Sequence, residues 1–323
     1  MRLRIGAGER WAILAAASYT AVNVTLRAAA ARNIDPFLGS TLRLVPVFLL
    51  AWGVVLVTGR REVRPRDPAF LGWPFVLGLI LGGFISFLVG NVFIFQALAD
   101  GGLGITVNAV QGGAVLGGIA LAFAFLGETP RREQVAGAGL LALGLGGIAI
   151  AQLGTPGERW YLGLVFALLA GASYAATNVL TRRVQRARPV LFVTLAATSL
   201  GGLAPLAVVV LARAGWSPAH VLDGLAPETL GAVLLAGCAN AFALVGLTQA
   251  MKFSDVATTN TISSSQVALS FVASVLLFGE TGSALMVLGV LVVVAGIVVA
   301  QVDRSRRLPA PVAAPNAGGI SRS

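Results

Sequence analysis

The chain has 323 residues, of which 57% are hydrophobic and 11% charged, against about a quarter charged in a soluble domain, and its mean hydropathy is +0.87. These values exclude a water-soluble globular protein and define one that lives in a bilayer. A net charge of +10 would suggest nucleic acid in a soluble chain, but here the arginines fall between apolar runs without interleaved aromatics, so no nucleic-acid partner is expected and the charge reports topology.

Met1 to Arg10 is a short basic leader. The apolar run behind it is too long for a signal peptide and lacks a small-residue cleavage site, which predicts a retained helix. With about 20 residues needed to cross the hydrocarbon, ten runs predict membrane helices over 11–31, 36–58, 71–97, 102–126, 133–153, 160–181, 190–212, 229–251, 256–278 and 282–302. Their length and lack of alternation exclude an outer-membrane barrel. A linker at 154–159 separates 11–153 from 160–302, and the Pro-, Ala-, Gly- and Ser-rich stretch 303–323 predicts a disordered cytoplasmic tail. Trp11, Trp73 and Trp160 stand near run ends as interfacial anchors. Gly78 with Gly82, and Gly113 with Gly117, have the spacing of close helix packing, while Gly137 and Gly144 recur as Gly289 and Gly296. Cys238 is the single cysteine, so no intramolecular disulfide can form.

The two halves repeat each other. Ser18-Tyr19-Thr20-Ala21-Val22-Asn23-Val24 returns as Ser173-Tyr174-Ala175-Ala176-Thr177-Asn178-Val179, and Gln96, Asn108 and Gly127-Glu128-Thr129 return as Gln249, Asn260 and Gly279-Glu280-Thr281. Because each half holds an odd number of runs, the second copy must lie upside down relative to the first. A cytoplasmic N-terminus puts Lys252 and nearly every arginine inside, leaving Arg27, Arg32, Arg159 and Arg213 outside and Arg43 within a run. The expectation is an all-α membrane protein, ten transmembrane helices as two inverted five-helix repeats, with both termini cytoplasmic.

An amide or hydroxyl in hydrocarbon costs free energy unless it finds a partner, so polar residues in mid-run should face the bundle interior. Tyr19, Asn23, Asn91, Gln96, Asn108, Gln111, Tyr174, Asn178, Asn240, Gln249, Asn260 and Gln266 form such a set, a lining of uncharged donors and acceptors suited to a zwitterion or polar metabolite. The competing reading makes them bonds between helices. Arg43 either snorkels to the outer face, anchors on Asp35 or Asp100, or holds a substrate carboxylate, for which its planar fork is shaped. Arg27 and Arg182 close the same stripe in each copy and are expected to gate: Arg27 with Asp35, Asp100 or Glu280, Arg182 with Asp255 or Glu128.

Ten runs in two inverted halves, with Phe125-Leu126-Gly127-Glu128 and Phe278-Gly279-Glu280 closing the fourth run of each and Arg43 following Pro36 in the second, resemble the drug/metabolite transporter superfamily, in particular the EamA-type permeases. The resemblance spans roughly residues 10 to 302. It implies a bacterial inner-membrane carrier, a monomer or homodimer, often exporting amino acids or other small metabolites through a central cavity by alternating access, with no cofactor and no metal. Relatives in the small multidrug branch use a glutamate in the first helix; here that helix offers Ser18, Tyr19 and Asn23 but no acid, which counts against proton-driven cation efflux by that route.

An enzyme would need a nucleophile, base or metal ligands, and one loop histidine, one apolar cysteine and no clustered carboxylates leave little to build with. Two other readings remain beside the metabolite carrier: efflux of drugs or quaternary amines, and lipid flipping by the same fold.

Overall fold

The computed structural model describes residues 6–126, 129–130, 132–151, 159–187, 190–253, 262–263, 265–280 and 283–301. Asp255, Asn260, Glu128, most of the linker and the tail lie outside the described residues, as does the Arg182 side chain. Among the described residues all regular structure is helical.

The first helix, α1 (Ala7–Ala30), starts earlier than the leader predicts because the Glu9 carboxylate accepts the Gly6 N–H at 2.9 Å, satisfying an orphan donor and placing an anion at the positive helix end. In α2 (Pro36–Val57), Asp35 caps the start by accepting from the N–H groups of Phe37 and Leu38, and Pro36 sits where no hydrogen-bonding N–H is needed. After α3 (Trp73–Gly83) the chain widens into one π-helical segment, Phe84–Gly90, before α4 (Asn91–Leu126).

Within α4 the helix breaks at Gly102, whose φ of 71° and ψ of 179° belong to a region open essentially to glycine alone. Across the break the Thr106 hydroxyl donates to the Ala97 carbonyl at 2.9 Å. A straight helix would hold residues that far apart in sequence about 13 Å apart at 1.5 Å per residue, so the chain folds back at Gly102. This is where the sequence divides its third run from its fourth.

Then follow α5 (Arg132–Ala151), α6 (Trp160–Ala187), α7 (Leu191–Arg213), α8 (Pro227–Phe253), α9 (Ser265–Phe278) and α10 (Ala284–Gln301). The α6 helix outruns its predicted end at 181, continuing to Ala187. Among the described residues six helical runs are long and apolar enough to cross a membrane, with 73–125 taken as one; Ser265–Phe278 and Ala284–Val299 are shorter apolar helices. The protein is a multi-pass membrane protein, and large apolar side chains such as Leu49, Leu143 and Leu276 stand exposed on its surface as lipid contact requires.

Lipid tails are as apolar as leucine, so helices are drawn together by close packing at small residues. Gly113 and Gly117 of α4 meet Leu168 and Ala172 of α6, and Gly171 answers against Val110 and Ala114. Gly144 of α5 faces Gly289 and Val293 of α10, and Gly296 faces Gly137, joining the matching faces of the two copies. The Gly78-Gly82 expectation is only half met. Gly82 packs on Thr177 and Leu180 of α6, but Gly78 has nothing within 4 Å; Gly83 takes the second contact, against Thr198 of α7. Leu26, Phe95, Leu98, Leu103, Leu141, Ile148 and Ile297 share one buried cluster, so α1, α4, α5 and α10 form a common core.

Candidate functional site

The stripe Tyr19, Asn23, Arg27 on α1 opens onto three different surroundings. Tyr19 lies within electrostatic reach of Arg43 and Tyr174. One turn on, buried Asn23 donates through its amide to the Ser270 hydroxyl of α9 at 3.2 Å. One turn further, Arg27 reaches the break in α4.

Arg43 is the centre of the first group. It is only 7% exposed, two turns into α2, and its bonds go to neutral partners: Nη1 donates to Asn91 Oδ1 at 3.1 Å and Nη2 to Asn240 Oδ1 at 3.4 Å. The Tyr174 hydroxyl donates to the same Asn91 oxygen at 2.8 Å and itself lies within bonding reach of Arg43. Asn91 is delivered there by the π-helical segment immediately before it, a wide turn of the kind found often at functional sites. The anchoring alternative is not what forms. Asp35 pairs with Arg213 and caps α2, while Asp100 accepts from Gln96 at 2.7 Å. Arg43 Nε, and Ser40 Oγ three residues before it on the same helix face, are buried without a hydrogen-bond partner, a state that costs about 1–3 kcal/mol per group when nothing fills it.

At the second group Arg27 and Glu280 straddle the Gly102 break. Arg27 Nε donates to Glu280 Oε1 at 3.1 Å, and Nη1 donates to the Leu98 carbonyl at 2.8 Å, on the end of the helical leg before the break. Glu280 accepts the N–H of Leu103 at 2.8 Å and of Gly104 at 3.0 Å, on the start of the leg after it. The cation thus sits on the carbonyl pole and the anion on the amide pole. Arg27 also lies over the Phe278 ring, 5.8 Å from its centroid.

The second copy of the stripe does not mirror the first. Tyr174 points to Asn91, but Asn178 is exposed; its neighbour Thr177 makes the buried bonds, accepting from Ser86 and donating to the Gly82 carbonyl, each at 2.6 Å. Asn108 is fully buried, donates to the Gly104 carbonyl at 2.6 Å and leaves its Oδ1 without a partner. Ser274 of α9 borders Gly104, one turn before Asn108. Gln266 is buried, and Gln96, Gln111 and Gln249 are half-buried. Ser86, Thr177 and Ser270 were missed from the sequence; only their position next to, or one turn from, a chosen residue could have flagged them. Among the described residues no group of three or more His, Cys, Asp or Glu converges as metal ligands would.

Gathered from α2, α4, α6 and α8, the Arg43 group marks a polytopic helical protein with a polar site inside its bundle, the type of solute carriers. The chain belongs to the EamA-like transporter family, which matches residues 6–150 and, a second time, residues 161–301. It is a membrane transporter of the drug/metabolite type. A solved structure described as "Crystal structure of protein" superposes with a TM-score of 0.60 at 19% identity, covering 92% of this chain and 97% of that one, which supports the fold. No match is found among curated proteins.

Proposed function

We propose that the protein is a secondary transporter that exports small polar metabolites of about amino-acid size across the bacterial inner membrane by alternating access. The observation that carries this reading is the buried Arg43, held only by neutral side chains and drawn from both copies: α2 and α4 of the first, α6 and α8 of the second. Substrate sites of repeat-built carriers lie near the bilayer midplane at the repeat interface. The fold-back at Gly102, which splits the long run into two legs, supports ten crossings in two inverted halves, and the arginine distribution favours cytoplasmic termini.

In that orientation Arg27 and Glu280 lie on the outer side, and their ion pair is the outer gate in its closed form. Opening outward requires the pair to part. Uptake of radiolabelled amino acids into preloaded proteoliposomes tests the carrier, and lipid scrambling with no solute flux would replace it by the flippase reading. Cysteines placed at 27 and 280 and cross-linked should stop flux; undiminished flux removes the gate.

A further inference from the structure

We infer that the Arg43 site accepts a monocarboxylate that is a net anion, in preference to a zwitterion or a cation. The inference rests on the carrier reading and specifies the chemistry of its site.

The argument is one of charge and of open hydrogen-bonding positions. Arg43 is a permanent cation in the interior, and none of its partners is acidic: Asn91, Asn240 and Tyr174 offer dipoles only. The carboxylates nearest in sequence position to the site are committed elsewhere, Asp35 to Arg213 and Asp100 to Gln96. A buried cation without a counter-ion is unfavourable, and a bound carboxylate would neutralise it.

The guanidinium also presents the right edge. Nη1 is engaged by Asn91, whereas Nε is unpartnered and Nη2 has only the long 3.4 Å contact to Asn240. Nε and Nη2 form the side of the fork that grips a carboxylate through two parallel bonds. Ser40 Oγ, buried and unpartnered on the same face of α2, adds a hydroxyl for a second polar atom of the ligand. Nothing equivalent serves an ammonium. The α-amino group of an amino acid sits beside its own carboxylate, so it would be brought close to Arg43 with no acid among the described residues to receive it, and like charges at short range oppose binding.

The test uses the full chain in proteoliposomes and compounds matched in skeleton but not in charge: 2-oxoisovalerate, valine and valinamide, with the corresponding sets built on alanine and phenylalanine. Each labelled compound is exchanged against itself, and binding is read separately by thermal shift in detergent. In at least one set the 2-oxo acid should half-saturate at a concentration roughly tenfold below its amino acid, a difference of about 1.4 kcal/mol set by the like charge of the ammonium beside Arg43, and the amide should not compete. Arg43→Lys should keep the preference at lower affinity, and Arg43→Gln should erase it. If amino acids equal or outcompete their 2-oxo acids, the charge inference is overturned and the carrier stands. If no compound in any set binds or exchanges, the carrier reading of this site fails and takes the inference with it. Should Arg43→Gln not fold, the wild-type ranking alone decides.

Discussion

Replacing Glu280 with alanine removes an acceptor shared by three donors: Arg27 Nε, Leu103 N–H and Gly104 N–H. Losing a helix cap costs about 1 kcal/mol, and a hydrogen bond to a charged group contributes about 1.5–3 kcal/mol. The two side chains are 20% and 18% exposed, so water recovers part of that loss, and the net destabilisation comes to about 2–4 kcal/mol by the same scale. At about 2 °C per kcal/mol for a chain of this size, the unfolding midpoint of purified protein in detergent should fall by about 4–8 °C. Glu280→Gln keeps an acceptor oxygen and should lose about half as much. Because Arg27 and Glu280 act as one unit across the break, the double alanine variant should lose clearly less than the sum of the single losses. A Glu280→Ala midpoint within about 1 °C of wild type, or strictly additive losses, would refute the clasp.

Three other outcomes follow from the same structure. Gly102→Ala forces a side chain into φ 71° and brings its Cβ within 2.6 Å of Glu280 Oε1; the expected cost of about 1–3 kcal/mol should appear as a lower unfolding midpoint, and no loss would mean the break relaxes freely. Gly144→Val drives a branched side chain into Val293 and Gly289, so α5 and α10 should separate at a cost of at least about 1–3 kcal/mol, checked by loss of cross-linking between cysteines placed on the two helices. In the loop after α2, the Ala69 N–H and the nearby Arg61 hold the Asp67 carboxyl below its usual range. A lowered folded-state value stabilises the loop above the unfolded carboxylate pKa of about 3.9 and loses that effect as pH falls towards the folded value. Protection of the Ala69 amide, its exchange rate corrected for the intrinsic pH dependence, should therefore fall below about pH 4, and a loss of protection centred near neutrality would contradict the assignment.

Much of the architecture is legible in the chain because lipid imposes it: run lengths, small-residue spacings and the gap between the runs ending at 97 and beginning at 102 all constrain a backbone that must bond to itself. Arg43 stood out for the same reason, as a charge placed where charges are costly. Arg27 could be assigned an acidic partner, though not one among Asp35, Asp100 and Glu280. What a stripe cannot disclose is which neighbour it meets. Asn178 and Thr177 are adjacent in sequence, and the packing of α3 and α6 at Gly82 is what chooses Thr177 for burial. The π-helical segment at Phe84–Gly90 leaves no periodic trace, and Glu280, noted as part of a repeated Gly-Glu-Thr, is used here on backbone amides that carry no side-chain signature.

The seal on the Gly102 break has an order in time. Leu103 and Glu280 are 177 positions apart, so at roughly 5–20 residues per second the ribosome runs for roughly 9–35 s between making the amide and making its cap. During that interval the first copy waits in the membrane with the carbonyl pole of the break held by its own Arg27 and the amide pole uncapped. A first half expressed alone should therefore remain open at that corner and be an early target for quality-control proteases, and the supply of the second half as a separate chain should protect it.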